Sequence, residues 1–130
     1  MAERRMFSKN LMRSSAFMRL SRAALQLYLY LCLEADDDGF GDNVDTVLRM
    51  CRCSRKHLQE LLDGGWVIGF DSGVIAIVHW HRHNQIKKDR YKQTDYRQER
   101  SMLDRNANGD YVRLDPECIQ SGSNLEPQYS

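Results

Sequence analysis

The residues best placed to do chemistry are a cluster of cations and donors, Arg52, Ser54, Arg55, Lys56 and Gln59, around the start of one expected helix. Free first-turn amides and the positive end of the helix dipole favour anions there, and side chains from the first turns reach base edges and phosphates. Arg55 then suits guanine, and Arg52 and Lys56 suit phosphates. A second cationic group, Arg82, Lys87, Lys88, Arg90 and Lys92 around Tyr91, suits an arm laid along a phosphate backbone. Tyr91 and Tyr96 add rings that can stack on unpaired bases. For both groups the plain alternative is a solvated charged surface, with Asp89 paired to a neighbouring base and the tyrosines packed back on the domain.

Other chemistries fit less well. His79, His81 and His83 alternate, so on a continued strand their rings face one side, a geometry able to hold zinc. No fourth ligand is evident, and a nuclease of the His-Asn-His type needs ligands on a following helix where this chain has lysines. The expectation is that His79 and His83 support the strand end while His81 is exposed. Cys51-x-Cys53 has no second pair at zinc-ribbon spacing and reads as packing beside a turn. Glu34, Asp36, Asp38, Gly39, Phe40, Asp42 and Asp45 match calcium-loop spacing, but Glu stands first, Gly41 stands where an apolar residue is wanted, and Asp45 is too short for bidentate reach. The expectation is an acidic turn in which Asp42 and Asp45 favour the N-terminus of the next helix. No nucleophile elbow, phosphate-binding glycine loop or paired-carboxylate site is visible, so neither catalysis, a metal nor a cofactor is expected.

The elements that must position these residues follow from the hydrophobic pattern. Ser21 can cap a helix running from Arg22 to Glu34, with Leu20 stapled onto Leu25, and its apolar residues go nearly all the way round. It is expected to be buried on more than one side, with one face available as a subunit interface. The segment Asp36 to Gly41 is a turn, and Asn43 or Asp42 caps a second helix from Val44 to Met50. After the turn Cys51-Arg52-Cys53, Ser54 caps a third helix to Asp63, burying Leu58, Leu61 and Leu62. Asp63-Gly64-Gly65 ends it. Two β-rich runs, Trp66 to Phe70 and Val74 to Trp80, flank Asp71-Ser72-Gly73 as a hairpin. A short helix from Thr94 to about Asp104 follows the basic stretch. This order predicts an α+β, mainly α fold: a winged helix-turn-helix of three helices plus a β-hairpin wing, with a basic C-terminal extension. The divisions are a basic segment over 1–20, the core over 21–80, a basic arm over 81–105, and a polar tail or linker over 106–130.

The 130 residues suffice for one core, with 42% hydrophobic and 28% charged side chains. A net charge of +1 hides a strong alternation. Six Lys/Arg face one acid over residues 1–22, six acids and no base fill 34–46, and eight Lys/Arg face four acids over 81–105. Two basic blocks flanking a central domain point to a polyanion surface. The longest uncharged run, Ala23 to Leu33, is about half of what crosses a bilayer, and Met1 to Asn10 lacks a signal-peptide core. With Cys32, Cys51, Cys53 and Cys118 too few and too oddly spaced for a secreted framework, a cytoplasmic protein with reduced thiols is expected.

Met1-Ala2-Glu3-Arg4-Arg5-Met6-Phe7-Ser8-Lys9, the run Ala35 to Phe40, Ser72-Gly73-Val74 to His79-Trp80, and His83-Asn84 with Ile86 and Lys88-Asp89-Arg90-Tyr91 closely resemble the N-terminal domain of phage and prophage replisome organizers, the DnaD-like replication initiation proteins of Firmicutes phages. The likeness covers about residues 1–120. It implies a winged-helix module that binds DNA, or assembles on it, when phage replication begins; a second domain usually follows in longer members. The chain departs from the family in having Leu20 and Gln93 where prolines are usual, and Arg55 and Lys56 where many relatives carry acids. The expected function is DNA binding within a replisome organizer, through the third helix and the post-wing arm. The competing expectations are a self-associating scaffold that recruits the replicative helicase or its loader, and a winged-helix transcriptional regulator. DNA is the expected partner, a second copy of the chain another, and a membrane is not.

Overall fold

The computed structural model describes residues 4–114. The chain is α+β: short helices α1 (Lys9–Met12) and α2 (Ser15–Met18), then α3 (Arg22–Glu34), strand β1 (Phe40–Gly41), α4 (Val44–Cys51), α5 (Arg55–Asp63), strands β2 (Val67–Gly69) and β3 (Ile75–Ile77), α6 (Trp80–His83), α7 (Arg97–Ser101), and strands β4 (Leu103–Arg105) and β5 (Tyr111–Arg113). Among the described residues no helix is long and apolar enough to cross a membrane.

The central helix forms where the pattern places it. The Ser21 hydroxyl accepts from Ala24 N–H at 3.1 Å, while Ser21 itself donates from both its amide and its hydroxyl to Glu60 on α5, each at 2.7 Å. Its burial differs from the expectation of more than one covered side. Ala24, Leu27, Tyr28, Leu31 and Cys32 are buried, a single stripe at helical spacing that continues to Ala35. Leu29 and Leu33 lie on the open side, 37% and 50% exposed. Helices α4 and α5 both pack on α3. Asn43 precedes α4 but makes no cap hydrogen bond; its amide instead donates to Glu34 at 3.1 Å. The turn between α4 and α5 rests on Arg52, which is left-handed at φ 58°, and it is the one non-glycine residue with positive φ among those described.

Strands β2 and β3 pair antiparallel through Ile68↔Ala76, with Gly73 at φ 90° closing their turn. Strand β1 joins on the other side of β3 through Phe40↔Ala76, giving the order β1-β3-β2. The acidic segment expected to be only a turn therefore supplies an edge strand. All three residues of β3 are buried. The β run expected to reach Trp80 stops at Ile77, because Trp80 starts α6 and is fully buried, with its Nε1–H donating to Asp37 O at 2.9 Å. The expected helix to Asp104 ends at Ser101, and residues 106–114, expected as tail, instead form a turn and strand β5, which pairs with β4. Tyr111 is 1% exposed and belongs to the core. Residues 115–130, with Cys118 and the Ser121 to Asn124 linker, lie outside the described residues.

Two aromatic groups make the core. Phe17, Tyr28 and Trp66 meet edge to face at 5.3 to 5.7 Å, and Phe40 meets Tyr111 at 5.5 Å and stacks near Phe70. Between them, Gly39 at φ 89° lies against Trp80 so closely that a Cβ would sit 2.6 Å from Trp80 Cγ. Gly39→Ala therefore combines a left-handed penalty with a steric clash, and a loss of about 3 kcal/mol or more is expected. Gly73 has a similar φ of 90° with nothing within 4 Å of a Cβ, so Gly73→Ala costs only about 1 kcal/mol. Urea midpoints at a shared m-value measure both; equal losses would show that Trp80 packing is not what fixes Gly39.

Candidate nucleic-acid interface

On the α4–α5 side, Arg52, Ser54, Arg55, Lys56 and Gln59 are all exposed, as a contact surface requires. Ser54 N–H donates to His57 Nδ1 at 3.1 Å, which fixes the first turn of α5. Arg55 pairs with Asp45 across the surface, both side chains being more than two-thirds exposed, and Gln59 donates to Asp63 at 2.8 Å. Arg52 and Lys56 form no ion pair among the described residues, so these two carry the open charge of this end.

The arm is held at both ends. At its start, Asn84 N–H donates to Trp80 O and Asn84 Oδ1 accepts from Met6 N–H at 2.8 Å. At its end, the Tyr91 hydroxyl donates to the Asp38 carboxylate at 2.7 and 2.8 Å, Lys92 N–H donates to Asp37 at 2.9 Å, and Thr94 N–H donates to Asp38 at 2.8 Å. Between these anchors, Lys87 to Arg90 form a tight turn closed by Arg90 N–H on Lys87 O. Lys87, Lys88 and Arg90 are exposed and form no ion pair among the described residues, and none joins them to Asp89. Lys92 Nζ lies 3.8 Å from Asp95. Tyr91 keeps 44% of its surface exposed, but its hydroxyl is committed to Asp38. Arg82 is committed too, bidentate on Asp110 at 2.9 and 2.6 Å.

The acidic turn is as expected in placing Asp45 in the first turn of α4, but its three consecutive aspartates turn inward. Asp37 and Asp38 are 3% and 8% exposed. The buried Arg5 side chain donates to Asp37 at 3.2 Å and to Ala35 O at 2.6 Å, and stands 5.1 Å over the Trp80 ring. The Asp36 carboxylate accepts from Asp38 N–H, Phe40 N–H and the Thr94 hydroxyl. Burial nevertheless keeps its carboxyl above the usual range.

The two cationic groups do not merge. A cleft at the start of α4 is lined by Glu34, Asp42 and Asp95 beside Lys92, and a second brings Asp42 and Asp45 beside Arg55, so an acidic strip runs between arm and helix. The arm instead borders a cleft of ≈ 810 Å³ whose lining includes Arg97 and Arg100 of α7 and Arg105 of β4. Sequence reasoning did not single out these three. The available signal was the cationic excess of residues 81–105, with Arg97 and Arg100 three apart on one helix face.

The histidines are not gathered as a continued strand would gather them. His79 Nδ1 lies 3.0 Å from Asp110. Burial alone raises Asp110, but the nearby His79 and the Arg82 fork hold it below the usual carboxylate range. His81, expected to be exposed, is half-buried. The Tyr111 hydroxyl donates to Asp38 O at 2.7 Å, so its oxygen accepts from His81 Nε2–H at 3.0 Å. His83 Nδ1 accepts from Ser8 N–H at 2.8 Å, which leaves Nε2–H to donate to the Tyr28 oxygen at 2.8 Å. Burial pulls both rings down to about 4, helped at His81 by Arg105 and at His83 by His79.

Both imidazoles bind protons more readily unfolded than folded, so stability is complete above their ordinary pKa of about 6.5 and falls as pH drops from there toward 4. The loss from His83, which is 4% exposed, reaches about 3 kcal/mol at most. Asp36 works in the opposite direction. Urea midpoints measured from pH 7 to pH 4.5 are expected to fall steadily, and His83→Gln to flatten the profile; a profile that His83→Gln leaves unchanged would rule out a neutral, buried His83. No family model, curated protein or solved structure matches the chain.

Proposed function

We propose that the chain is a winged helix-turn-helix module that binds DNA in a replisome organizer at the initiation of replication, acting by binding rather than by catalysis. The order α3, α4, tight turn, α5, β2, β3 supports the architecture, and β1 adds a third strand beside the hairpin. The observation that carries the function is the pinned cationic turn. Lys87, Lys88 and Arg90 project from a segment already ordered by Asn84 and Tyr91, so little conformational freedom is lost when a phosphate backbone binds. Arg52 and Lys56 at the head of α5 supply a second point of contact. The hairpin itself contributes little positive charge, since its turn holds Asp71 and Ser72 donates to Glu99 at 2.7 Å.

A scaffold reading has one observation in its favour, the exposed Leu29 and Leu33 on the open side of α3. Light scattering separates the two, because a stable oligomer without DNA affinity supports the scaffold alone.

Fluorescence anisotropy with labelled mixed-sequence DNA, titrated across salt, tests the proposal. Changing Lys87, Lys88 and Arg90 together to Gln is expected to weaken binding and to reduce the salt slope by about three units. An unchanged slope would show that the arm does not touch phosphate.

A further inference from the structure

The ≈ 810 Å³ cleft beside the arm has features that the backbone-binding role does not use. Arg100 donates to Leu103 O at 3.0 Å and stands 5.1 Å over the Tyr111 ring, and Arg105 donates to Gly109 O at 3.2 Å. Each guanidinium is thus held by a neutral group, and neither has a carboxylate partner among the described residues. Both lie close enough to depress the protonation of His81, which lines the same cleft. Arg97, also on this wall, is exposed. Three guanidiniums gathered against Asp38, the one lining carboxylate that makes no ion pair among the described residues, leave an excess of positive charge that an anion can offset. Of the acids in the lining, Asp37 is paired with Arg5 and accepts from Lys92 N–H, while the Asp38 carboxylate accepts from Tyr91 and Thr94.

A second, independent observation comes from Asn84. It is 5% exposed and lines the cleft. Its orientation is set because Oδ1 accepts from Met6 N–H, and Nδ2 is then a buried donor with no partner. Such a group is costly while it stays unpaired. Gln93 brings another amide to the lining, and Tyr91 and Ile86 bring apolar surface. Amide edges beside apolar surface match the hydrogen-bonding edge and faces of a heterocyclic base, and the volume falls within the range of small-ligand sites.

We propose that this cleft binds one nucleotide, its phosphate on Arg97, Arg100 and Arg105 and its base against Asn84, Gln93 and Tyr91. The nucleotide comes either free in solution or as an unpaired unit of a single strand delivered by the neighbouring arm; the second source rests on the DNA-binding reading above. It gives the module a preference for single-stranded over duplex DNA, since a paired base cannot enter a cleft.

The test uses the full chain with a labelled oligothymidylate, a duplex of equal length, free thymidine monophosphate and inorganic phosphate, against wild type and an Arg97→Gln/Arg105→Gln double variant whose thermal melt confirms folding. The single strand is expected to bind more tightly than the duplex. The double variant is expected to lose about tenfold in single-strand affinity while duplex affinity holds. Thymidine monophosphate competes with the strand where phosphate at the same concentration does not. Equal losses on both DNA forms, or no loss on either, would overturn the nucleotide cleft and leave DNA binding standing. Competition by phosphate as effective as that by the nucleotide would reduce the cleft to a bare anion site and overturn it as well. Binding of the free nucleotide, lost in the double variant, with no affinity for either DNA would support the cleft and overturn the DNA-binding module.

Discussion

The fold depends on one buried acidic turn. Asp36, Asp37 and Asp38 follow the central helix, and their carboxylates and carbonyls collect donors from nearly every part of the described chain: Arg5 near its start, Trp80 of α6, Tyr91, Lys92 and Thr94 of the arm, and Tyr111 of β5. Carboxylates taken out of water are destabilising unless fully satisfied, and removing one partner of such a group costs more than the bond itself contributes. The turn therefore acts as a specification. Only an arrangement that brings all these donors to one place is free of a severe penalty, which ties the peripheral segments to the core they surround.

That constraint explains how a chain of nearly balanced charge can present positive surfaces. The acids of the central block are drawn inward or set in a strip at the start of α4, while Arg52, Lys56, Lys87, Lys88 and Arg90 stay outside. Segregation of this kind gives local potentials that an average of +1 does not reveal. It also leaves the cationic surfaces in two separate places, the head of α5 and the arm with its cleft, instead of one continuous band.

Much of the helical part was legible because its signals are local. Ser21 and Ser54 mark helix starts, Gly64 and Gly65 mark a stop, and Leu58 and Leu61 fall at helical spacing, so each can be read within a few residues. The acidic turn was not legible, since three consecutive aspartates read as solvated unless their partners are known, and Thr94 stands 58 residues from Asp36 and Tyr111 stands 73 from Asp38. The same distance hid β5. Asp110 and Tyr111 sit in a polar stretch whose only local cue is the Asn-Gly turn before them, and their burial is decided by Arg82, His79 and Asp38. Among the candidate contacts, sequence alone could not separate Lys87 and Lys88 from Arg82, because the carboxylate that claims Arg82 lies beyond the arm.

The separation of the aspartates from their donors also sets an order of events at the ribosome. Helices α3 to α5 and the acidic turn emerge well before Tyr91, Thr94 and Tyr111 are synthesised. Until then the carboxylates remain hydrated, and the N-terminal segment lacks both the His83 and the Asn84 that fasten it. That charged flank can close only as His83 and Asn84, then Tyr91 and Thr94, and then Tyr111 of β5 become available, so its contacts carry a loop-closure cost that the helices do not.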